Sequence, residues 1–252
     1  MAKHRFFIPK KSWNSDELVL SGDEAHHCRD VMRCREGQVV SVFDGAGTEI
    51  EGEITLLSRK RIELKLLAEK KTVRPPAFLT LGQAIPKGKN MDLIIQKATE
   101  LGVGRIVPLL SDRTVVQLDE NEAAKKREKW QRIAIEACKQ CGQNWLPKVA
   151  LPTAVESFVK TSAENDPFRL VAAIDPESRS LKSILFDWEK SHQTPPDSAT
   201  LMIGPEGDFT SAEITQACDS GFQPMTLGPI ILRSETAAIY AVSVVGHELM
   251  TR

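Results

Sequence analysis

The sequence reads LMIGPEGDFTSAE at residues 201–213 and LGPIILRSETAAIYAV at residues 227–242. Each stretch combines an apolar run typical of a strand, a loop containing Gly and Pro, and the beginning of a helix. In a parallel sheet such loops lie at the carboxyl ends of the strands, where ligands bind. Neither loop contains the GK[ST] of a phosphate loop or a GxGxxG, so the pattern predicts a neutral or zwitterionic ligand held largely by backbone groups.

The first loop contains residues that permit close approach and residues that begin a helix. Gly204 and Gly207 allow a ligand to come near the backbone, because glycine has no side chain. Thr210 and Glu213 have the spacing of a capping box, which predicts a helix from about residue 211.

The second loop has the same design. Ser234 is predicted to cap the last helix. Ordinary strand-to-helix turns would explain both stretches equally well, but Glu206, Arg233 and Glu235 favour a functional site, because charged groups in apolar loops need partners when they are partly buried. The last helix has no charged residue from Thr236 to Gly246, which indicates burial in a core or against another subunit.

The N-terminal part is predicted to be a small β-rich barrel. Short alternating runs before residue 70 read as strands, and Gly45 and Gly47 mark a hairpin turn. Between them, GDEAHHCRDVMRC reads as one short helix with Val31 and Met32 turned inward. The segment KKTVRPPA (70–77) is the predicted linker.

After the linker, strands and helices alternate, which predicts an α/β domain with a largely parallel sheet. The strands are expected in FLTLGQAI, RIVPLL, RLVAAID, ATLMIG and QPMTLG, and the helices in NMDLIIQKATELGV, NEAAKKREKWQRIAIEACKQCG, TSAEITQACDSG and SETAAIYAVSVVGHELM. The basic run KKREK is predicted to be a solvated helix face. The predicted domains are residues 1–72 and 77–252.

Composition excludes several classes of protein. No apolar run approaches the roughly 20 residues of a membrane span, and the N-terminus lacks a secretory signal, so a cytoplasmic location is expected. The net charge of −1 leaves the partner open. Cys138 and Cys141 form a CxxC at a predicted helix end, which favours a structural role, and His26-His27-Cys28 lacks the spacing of zinc ligands. No metal is expected.

The chain resembles a known family, the ribosomal RNA small-subunit methyltransferases of the RsmE type in the SPOUT class. IGPEGDFTSAE and LGPIILRSETAA are similar to its two signature motifs, and FDGAG, KGKNMDLIIQKATELGV and RIAIEACKQCGQN resemble others in family order. The likeness implies a PUA-like RNA-binding barrel followed by an α/β SPOUT domain with a C-terminal trefoil knot. It also implies a homodimer that uses S-adenosylmethionine to methylate N3 of one uridine in 16S ribosomal RNA, within the 30S subunit.

The resemblance also assigns roles to residues. Because methylation of an imide nitrogen requires stabilisation of negative charge, Arg233 and Glu235 are the candidates for stabilising charge and orienting the site, with Glu136 or Glu100 as alternatives. A structural ion pair at the start of the last helix would also explain Arg233 and Glu235. The resemblance implies cofactor binding by Ile203, Gly204, Pro205, Glu206, Gly207, Leu227, Gly228, Ile231, Leu232, Arg233, Thr236 and Ala237. It implies RNA contacts by Arg5, by His26 or His27, and by Arg33. Gln143 and Trp145 are further candidates for RNA contact, Trp145 by stacking on a base.

The chain departs from the family pattern where RNA would bind. Ile230 stands where the second motif usually carries Arg, and Gln143 and Trp145 stand where arginines are usual. Hydrogen bonds to charged groups are worth roughly 1.5–3 kcal/mol each, so these changes affect the substrate site more than the cofactor site. Two alternatives therefore remain open: a SPOUT methyltransferase with another RNA target, and a ribosome assembly factor that keeps the fold without catalysis.

Overall fold

The computed structural model describes residues 4–14, 17–116 and 118–251 of the chain. The described strands are β1 (Arg5–Phe7), β2 (Leu18–Ser21), β3 (Val39–Phe43), β4 (Thr48–Leu57), β5 (Arg61–Lys71), β6 (Phe78–Ala84), β7 (Arg105–Leu110), β8 (Lys148–Val149), β9 (Thr153–Ala154), β10 (Arg169–Ala172), β11 (Ser198–Ile203) and β12 (Gln223–Met225). The α-helices are α1 (Gly22–His26), α2 (Asn90–Glu100), α3 (Glu120–Cys141), α4 (Val155–Asn165), α5 (Leu181–His192), α6 (Ser211–Asp219) and α7 (Ser234–Met250).

Two compact units divide the chain. The first consists of Met1–Arg74 and Ile135–Leu146, and the second of Pro75–Ala134 and Pro147–Arg252. The inclusion of residues 135–146 in the first unit was not anticipated from the sequence. The domain limits 1–72 and 77–252 stay a proposal, and the terminal residues 1 and 252 lie outside the described ranges.

The first unit contains a five-stranded sheet in the order β1-β3-β4-β5-β2. Strands β3, β4 and β5 form an antiparallel meander, and β1 pairs with β3 in parallel. The predicted turn between β3 and β4 is confirmed, because Gly45 and Gly47 have φ values of 73° and 97°, which favour glycine. Phe6, Leu20, Val42 and other apolar side chains form the core.

The predicted inward position of Val31 is wrong. After α1 the chain continues as a single π-helical turn, His27–Val31, in which Met32 N donates to His27 O at 2.9 Å. The wider turn shifts the inward face, so Cys28 is fully buried while Val31 is 58% exposed. Met32 packs against the core as predicted.

The second unit has a parallel sheet in the order β12-β10-β11-β6-β7-β8, and β9 also pairs with β7. Strand β6 lies between β11 and β7, where the direction of strand addition reverses. Ligands bind at such a switch point, outside the carboxyl ends of the strands. The predicted alternation of strands and helices is confirmed.

Two helices of the second unit, α4 and α5, were not predicted. Phe158 of α4 and Val171 of β10 are buried in one apolar cluster with Phe209 and Phe222, so α4 covers part of the sheet. Helices α2 and α7 pack against each other. In the described part of the chain, no helix has the length and apolar character needed to cross a membrane.

Candidate functional site

A cavity of about 520 Å³ opens at the carboxyl ends of β10, β11 and β12. It is formed by three segments: Ala172–Pro176 after β10, the loop from Ile203 to Asp208 after β11, and the chain from Thr226 to Ala237 after β12. Its volume lies in the range of 300–1,000 Å³ that is usual for small-molecule sites. Both stretches that were singled out in the sequence therefore contribute to one site.

The loop after β11 is tightly closed on itself. A Cβ atom on Gly204 would lie 2.7 Å from Asp208 Oδ1 and 3.1 Å from Phe209 N, so only glycine fits here. Asp208 has a φ of 60° and accepts a hydrogen bond from Phe209 N at 2.8 Å. The absence of a side chain at Gly204 thus serves the turn itself.

The predicted capping box is confirmed. Thr210 Oγ1 accepts from Glu213 N at 3.3 Å, and Glu213 Oε2 accepts from Thr210 N at 2.8 Å. Glu213 is almost fully buried, and its Oε1 also accepts from Asp112 N at 3.0 Å. The start of α6 is therefore fixed both to its own cap and to the loop after β7.

The predicted helix cap at Ser234 is wrong. Arg233 occupies the cap position of α7, and Ser234 is the first helical residue. The Ser234 hydroxyl instead donates to Gly204 O at 2.7 Å. It is buried at the cavity and links the two loops, a long-range contact that the local spacing of residues does not reveal.

Two contributions to the site were missed in the sequence. The segment after β10 adds Ile174, which is 73% exposed at the cavity, and Asp175. Arg113, in the loop after β7, donates to Gly207 O and, at 3.5 Å, to Phe209 O. Both segments follow strands of the same parallel sheet, and that position is the signal that could have identified them.

The charges on the cavity wall are all negative. Asp175, Glu206 and Asp208 line it, and none of its lining residues, all of which lie in described ranges, is a lysine or arginine. Glu206 Oε1 accepts from Lys87 N at 2.9 Å. Such a wall attracts a positively charged group and disfavours phosphate.

Nine of the twelve predicted cofactor-binding residues line the cavity: Ile203, Gly204, Pro205, Glu206, Leu227, Gly228, Ile231, Leu232 and Ala237. The cavity lining does not include the other three, Gly207, Arg233 and Thr236. All three nevertheless adjoin lining residues in the chain: Gly207 follows Glu206, Arg233 precedes Ser234, and Thr236 precedes Ala237.

The two predicted catalytic residues begin α7. Arg233 is exposed, and its backbone carbonyl accepts from Ala237 N at 2.8 Å. Glu235 Oε2 accepts from Asn90 Nδ2 at 3.2 Å, which connects α7 to the start of α2. Of the alternatives, Glu100 pairs with Lys97 at 2.8 Å within α2.

Arg5, which was predicted to contact RNA, has a structural role in the first unit. Its side chain is only 10% exposed. Its guanidinium donates to Cys138 O at 2.7 Å and to the side chain of Asn144, and lies over the ring of Phe43 at 4.5 Å. Every one of these partners belongs to the same unit. These contacts hold residues 135–146 on the sheet, and RNA binding by Arg5 stays a prediction.

Trp145 is also engaged within the first unit. Its Nε1 donates to Val73 O at 3.2 Å, and the Arg74 guanidinium lies 4.9 Å from the ring centre. A Cβ on Gly47 would collide with the indole, which explains glycine there. Gln143 Oε1 accepts from Trp145 N at 3.3 Å. These contacts make both predicted RNA residues part of the packing around the β3–β4 turn.

The remaining predicted RNA contacts lie on or after α1. His26 is exposed, with its Nδ1 2.6 Å from Asp30, and Arg33 is exposed with a φ of 52°. His27 is half-buried against Phe6.

His27 also belongs to a group of potential metal ligands. Glu24, His27 and Glu136 offer ligand atoms that all lie within 4.8 Å of one another. The ammonium group of Lys139 is bonded to both Glu24 and Glu136, so these carboxylates already face a cation. The expectation of no metal stays a prediction.

Comparisons with known proteins agree with the sequence motifs. A family model described as an RNA methyltransferase domain matches residues 73–246, and one described as an RNA methyltransferase PUA domain matches residues 20–67. The ribosomal RNA small subunit methyltransferase E of Bacillus subtilis is 31% identical over 248 residues, with 97% of this chain and 96% of that protein covered. The protein of the same name from Synechocystis is 33% identical over 227 residues, with 90% and 71% covered.

Solved structures agree as well. A methyltransferase from Legionella pneumophila, in complex with the bound cofactor SAM, superposes with a TM-score of 0.87 at 32% identity, covering 98% of each chain. A ribosomal RNA small subunit methyltransferase E from Neisseria gonorrhoeae, bound to S-adenosyl methionine, superposes with a TM-score of 0.82 at 32% identity, covering 97% of each chain.

Proposed function

This chain belongs to the family of ribosomal RNA small subunit methyltransferase E, and from that premise we propose that it methylates N3 of a uridine in 16S ribosomal RNA with S-adenosylmethionine as donor. It combines an RNA methyltransferase PUA domain with an α/β methyltransferase domain of the SPOUT class. The observation that carries the proposal is the cavity at the carboxyl ends of β10, β11 and β12.

The cavity suits this donor in size and in charge. S-adenosylmethionine has a sulfonium and an ammonium group, and the wall presents Asp175, Glu206 and Asp208 without a facing lysine or arginine from its lining residues. Gly204 lines the cavity without a side chain. When bound, S-adenosylmethionine would supply an electrophilic methyl group to the uracil nitrogen, with the thioether S-adenosylhomocysteine as the leaving group and the N3 proton passing to solvent.

The chain's own residues have two tasks in this reaction. The loops from Ile203 to Asp208 and from Thr226 to Ala237 hold the reactants in line, and orientation of this kind contributes roughly 7–11 kcal/mol in favourable cases. The other task is to stabilise negative charge on the uracil ring as the imide proton leaves. We assign this task to Arg233, which precedes the first residue of α7 and adjoins the cavity-lining Ser234. We assign Glu235 to orienting the site through Asn90.

Mass spectrometry of 16S ribosomal RNA fragments tests the proposal directly. Undermethylated 30S subunits are incubated with the protein and S-adenosylmethionine, and a gain of one methyl group on a single uridine is expected. Digestion to nucleosides then identifies 3-methyluridine. A methyl group on another atom or base would contradict the proposed target while leaving the methyltransferase activity in place.

Two substitutions separate chemistry from cofactor binding. Arg233→Ala and Glu235→Ala are expected to lower kcat at least tenfold, which is about 1.4 kcal/mol of transition-state stabilisation, while calorimetry finds cofactor binding within threefold of wild type. Lys190→Ala, which removes an exposed charged side chain on α5 that does not line the cavity, is the matched control. Unchanged turnover in a variant would remove that residue from the mechanism.

Ile230 favours a second candidate, a SPOUT methyltransferase with another RNA target. Its side chain lines the cavity and is 74% exposed. Together with Ile174 and Ile231 it makes the rim of the cavity apolar, whereas the family pattern has an arginine at the position of Ile230. Efficient, site-specific methylation of 16S RNA in 30S particles would exclude this candidate. Transfer of labelled methyl to any RNA would exclude the non-catalytic assembly factor.

The proposal includes a homodimer with a trefoil-knotted second domain, acting on 30S particles in the cytoplasm. Support for the dimer comes from α7, which has no charged residue between Glu235 and His247 and leaves Tyr240 47% exposed. RNA contacts by His26 and Arg33 remain part of the proposal, since both side chains are exposed in the PUA-like domain.

A further inference from the structure

Gln83 is a polar residue in the middle of the second unit's sheet. It is the penultimate residue of β6, its side chain is completely buried, and its neighbours across the sheet are Ile203 on β11 and Pro108 on β7. A buried amide is costly unless it is hydrogen-bonded, so its retention in an apolar strand requires a physical reason. Its contacts supply one.

The Gln83 side chain begins a relay of hydrogen bonds that ends on the cavity wall. Its Nε2 donates to Ala84 O at 2.8 Å and to Ser234 Oγ at 3.0 Å. Ser234 Oγ in turn donates to Gly204 O at 2.7 Å. Ser234 and Gly204 both line the cavity, whereas Gln83 does not. One amide therefore connects the loop after β11 to the start of α7.

The relay has a fixed direction. A serine hydroxyl has one proton to donate. Because Gln83 Nε2 already donates to the Ser234 oxygen, the Ser234 hydroxyl directs its own proton to Gly204 O. A reversed amide would place its oxygen against Ala84 O and would draw the Ser234 proton away from Gly204. In the orientation observed, Gln83 Oε1 is buried without a partner among the described residues. The fold thus tolerates an unpaired acceptor to keep the donor in place.

We infer that Gln83 is a positioning residue of the cofactor site, which acts through the Ser234 hydroxyl to hold the Gly204 carbonyl and, with it, the loop from Ile203 to Asp208. The inference rests on the proposed function only in naming S-adenosylmethionine as the ligand that this loop receives. The mechanical part, restraint of the loop, is independent of any ligand.

Hydrogen exchange read by mass spectrometry tests the restraint without ligand. Gln83→Met keeps the length of the side chain and removes its donors, and Ser234→Ala removes the hydroxyl. Both are expected to raise exchange about tenfold in peptides covering 203–209. Thr99→Val is the matched control, because it removes a buried hydroxyl that donates to Ile95 O at 2.8 Å inside α2. Unchanged exchange of the loop in both relay variants would overturn the inference.

Calorimetry with S-adenosylmethionine tests the consequence for binding. Each relay variant is expected to weaken binding about tenfold, or about 1.4 kcal/mol, whereas Ser234→Thr, which keeps a hydroxyl, and Thr99→Val stay within threefold of wild type. The double variant Gln83→Met/Ser234→Ala is expected to bind no more weakly than Ser234→Ala alone, because Gln83 acts through that hydroxyl.

The outcomes separate the two proposals. A hundredfold, additive loss in the double variant would show that Gln83 acts by another route and would overturn the relay. Wild-type protein that binds no S-adenosylmethionine would refute the proposed function, and the exchange measurement would still decide whether Gln83 restrains the loop.

Discussion

The guanidinium of Arg5 is enclosed in the first unit, where it bonds to Cys138 O and the Asn144 side chain and lies 3.5 Å from Glu49. Removing one member of a buried ionic group leaves the remaining charge without a partner, which lowers the free energy of unfolding by about 3–5 kcal/mol. We therefore expect Arg5→Met to lower the free energy of unfolding by about that amount in urea titrations. The exposed Arg59→Met serves as control, with an expected change below about 0.5 kcal/mol. Wild-type stability together with impaired RNA binding would contradict this structural role and support Arg5 as an RNA contact.

The thiol of Cys138 makes the stability depend on pH. Burial, with a smaller effect of Cys141 and opposed by the charge of Arg5, raises its pKa from 9.0 to about 12. Since the folded state holds the proton more tightly, the contribution to stability is complete below pH 9 and is lost as the pH rises towards 12. Urea unfolding between pH 7.5 and 10 should therefore show a smaller decline in Cys138→Ala than in wild type. Equal declines in the two proteins would contradict the shifted pKa.

At the scale of the element, the start of α6 depends on one carboxylate. Glu213 accepts from Thr210 N and from Asp112 N, and it is almost completely buried. Glu213→Ala leaves both backbone donors without this partner, and we expect a loss of about 2–3 kcal/mol in thermal or urea unfolding. Thr215→Ala, an exposed change on the same helix, should cost below about 0.5 kcal/mol. Equal losses from the two substitutions would mean that the backbone contacts of the Glu213 carboxylate do not account for the effect, because alanine itself favours the helix.

The elements themselves were largely predictable because their signals are local. Apolar periodicity located the strands around the cavity, and the spacing of Thr210 and Glu213 located the start of α6. The role of Ser234 was misread, because its partner Gly204 lies 30 residues away. The exposure of Val31 was missed, because one π turn changes which side of a helix faces inward. Contacts distant in sequence and small changes of register leave no local pattern to read.

At the scale of the whole molecule, the chain passes from one unit to the other more than once, whereas the predicted domains 1–72 and 77–252 imply a single passage. Helix α3 begins in the second unit and contributes residues from Ile135 onward to the first. This segment carries Cys138 and Asn144, which accept hydrogen bonds from Arg5. The first unit is therefore incomplete as an isolated fragment of residues 1–72, and its packing depends on residues supplied later in the chain.

The exposed apolar side chains of α7 and α2 make the proposed dimer testable. Tyr240 on α7 is 47% exposed and Leu93 on α2 is 40% exposed, and these two helices pack against each other. If this face joins two copies, Tyr240→Glu buries an unpaired charge in the interface and weakens association at least tenfold. Light scattering across a concentration series should then find wild type at twice the 27.9 kDa of the chain and the variant shifted towards a single chain.

Phe186→Glu is the matched control for this measurement, because Phe186 is a 67% exposed aromatic residue on α5. A general effect of charge on solubility would act equally at both positions, whereas an interface through α7 responds only to Tyr240→Glu. Wild-type protein that remains a single chain at every concentration would refute the dimer. Equal dissociation by both substitutions would show that the effect is not specific to α7 and would leave the interface through α7 without support.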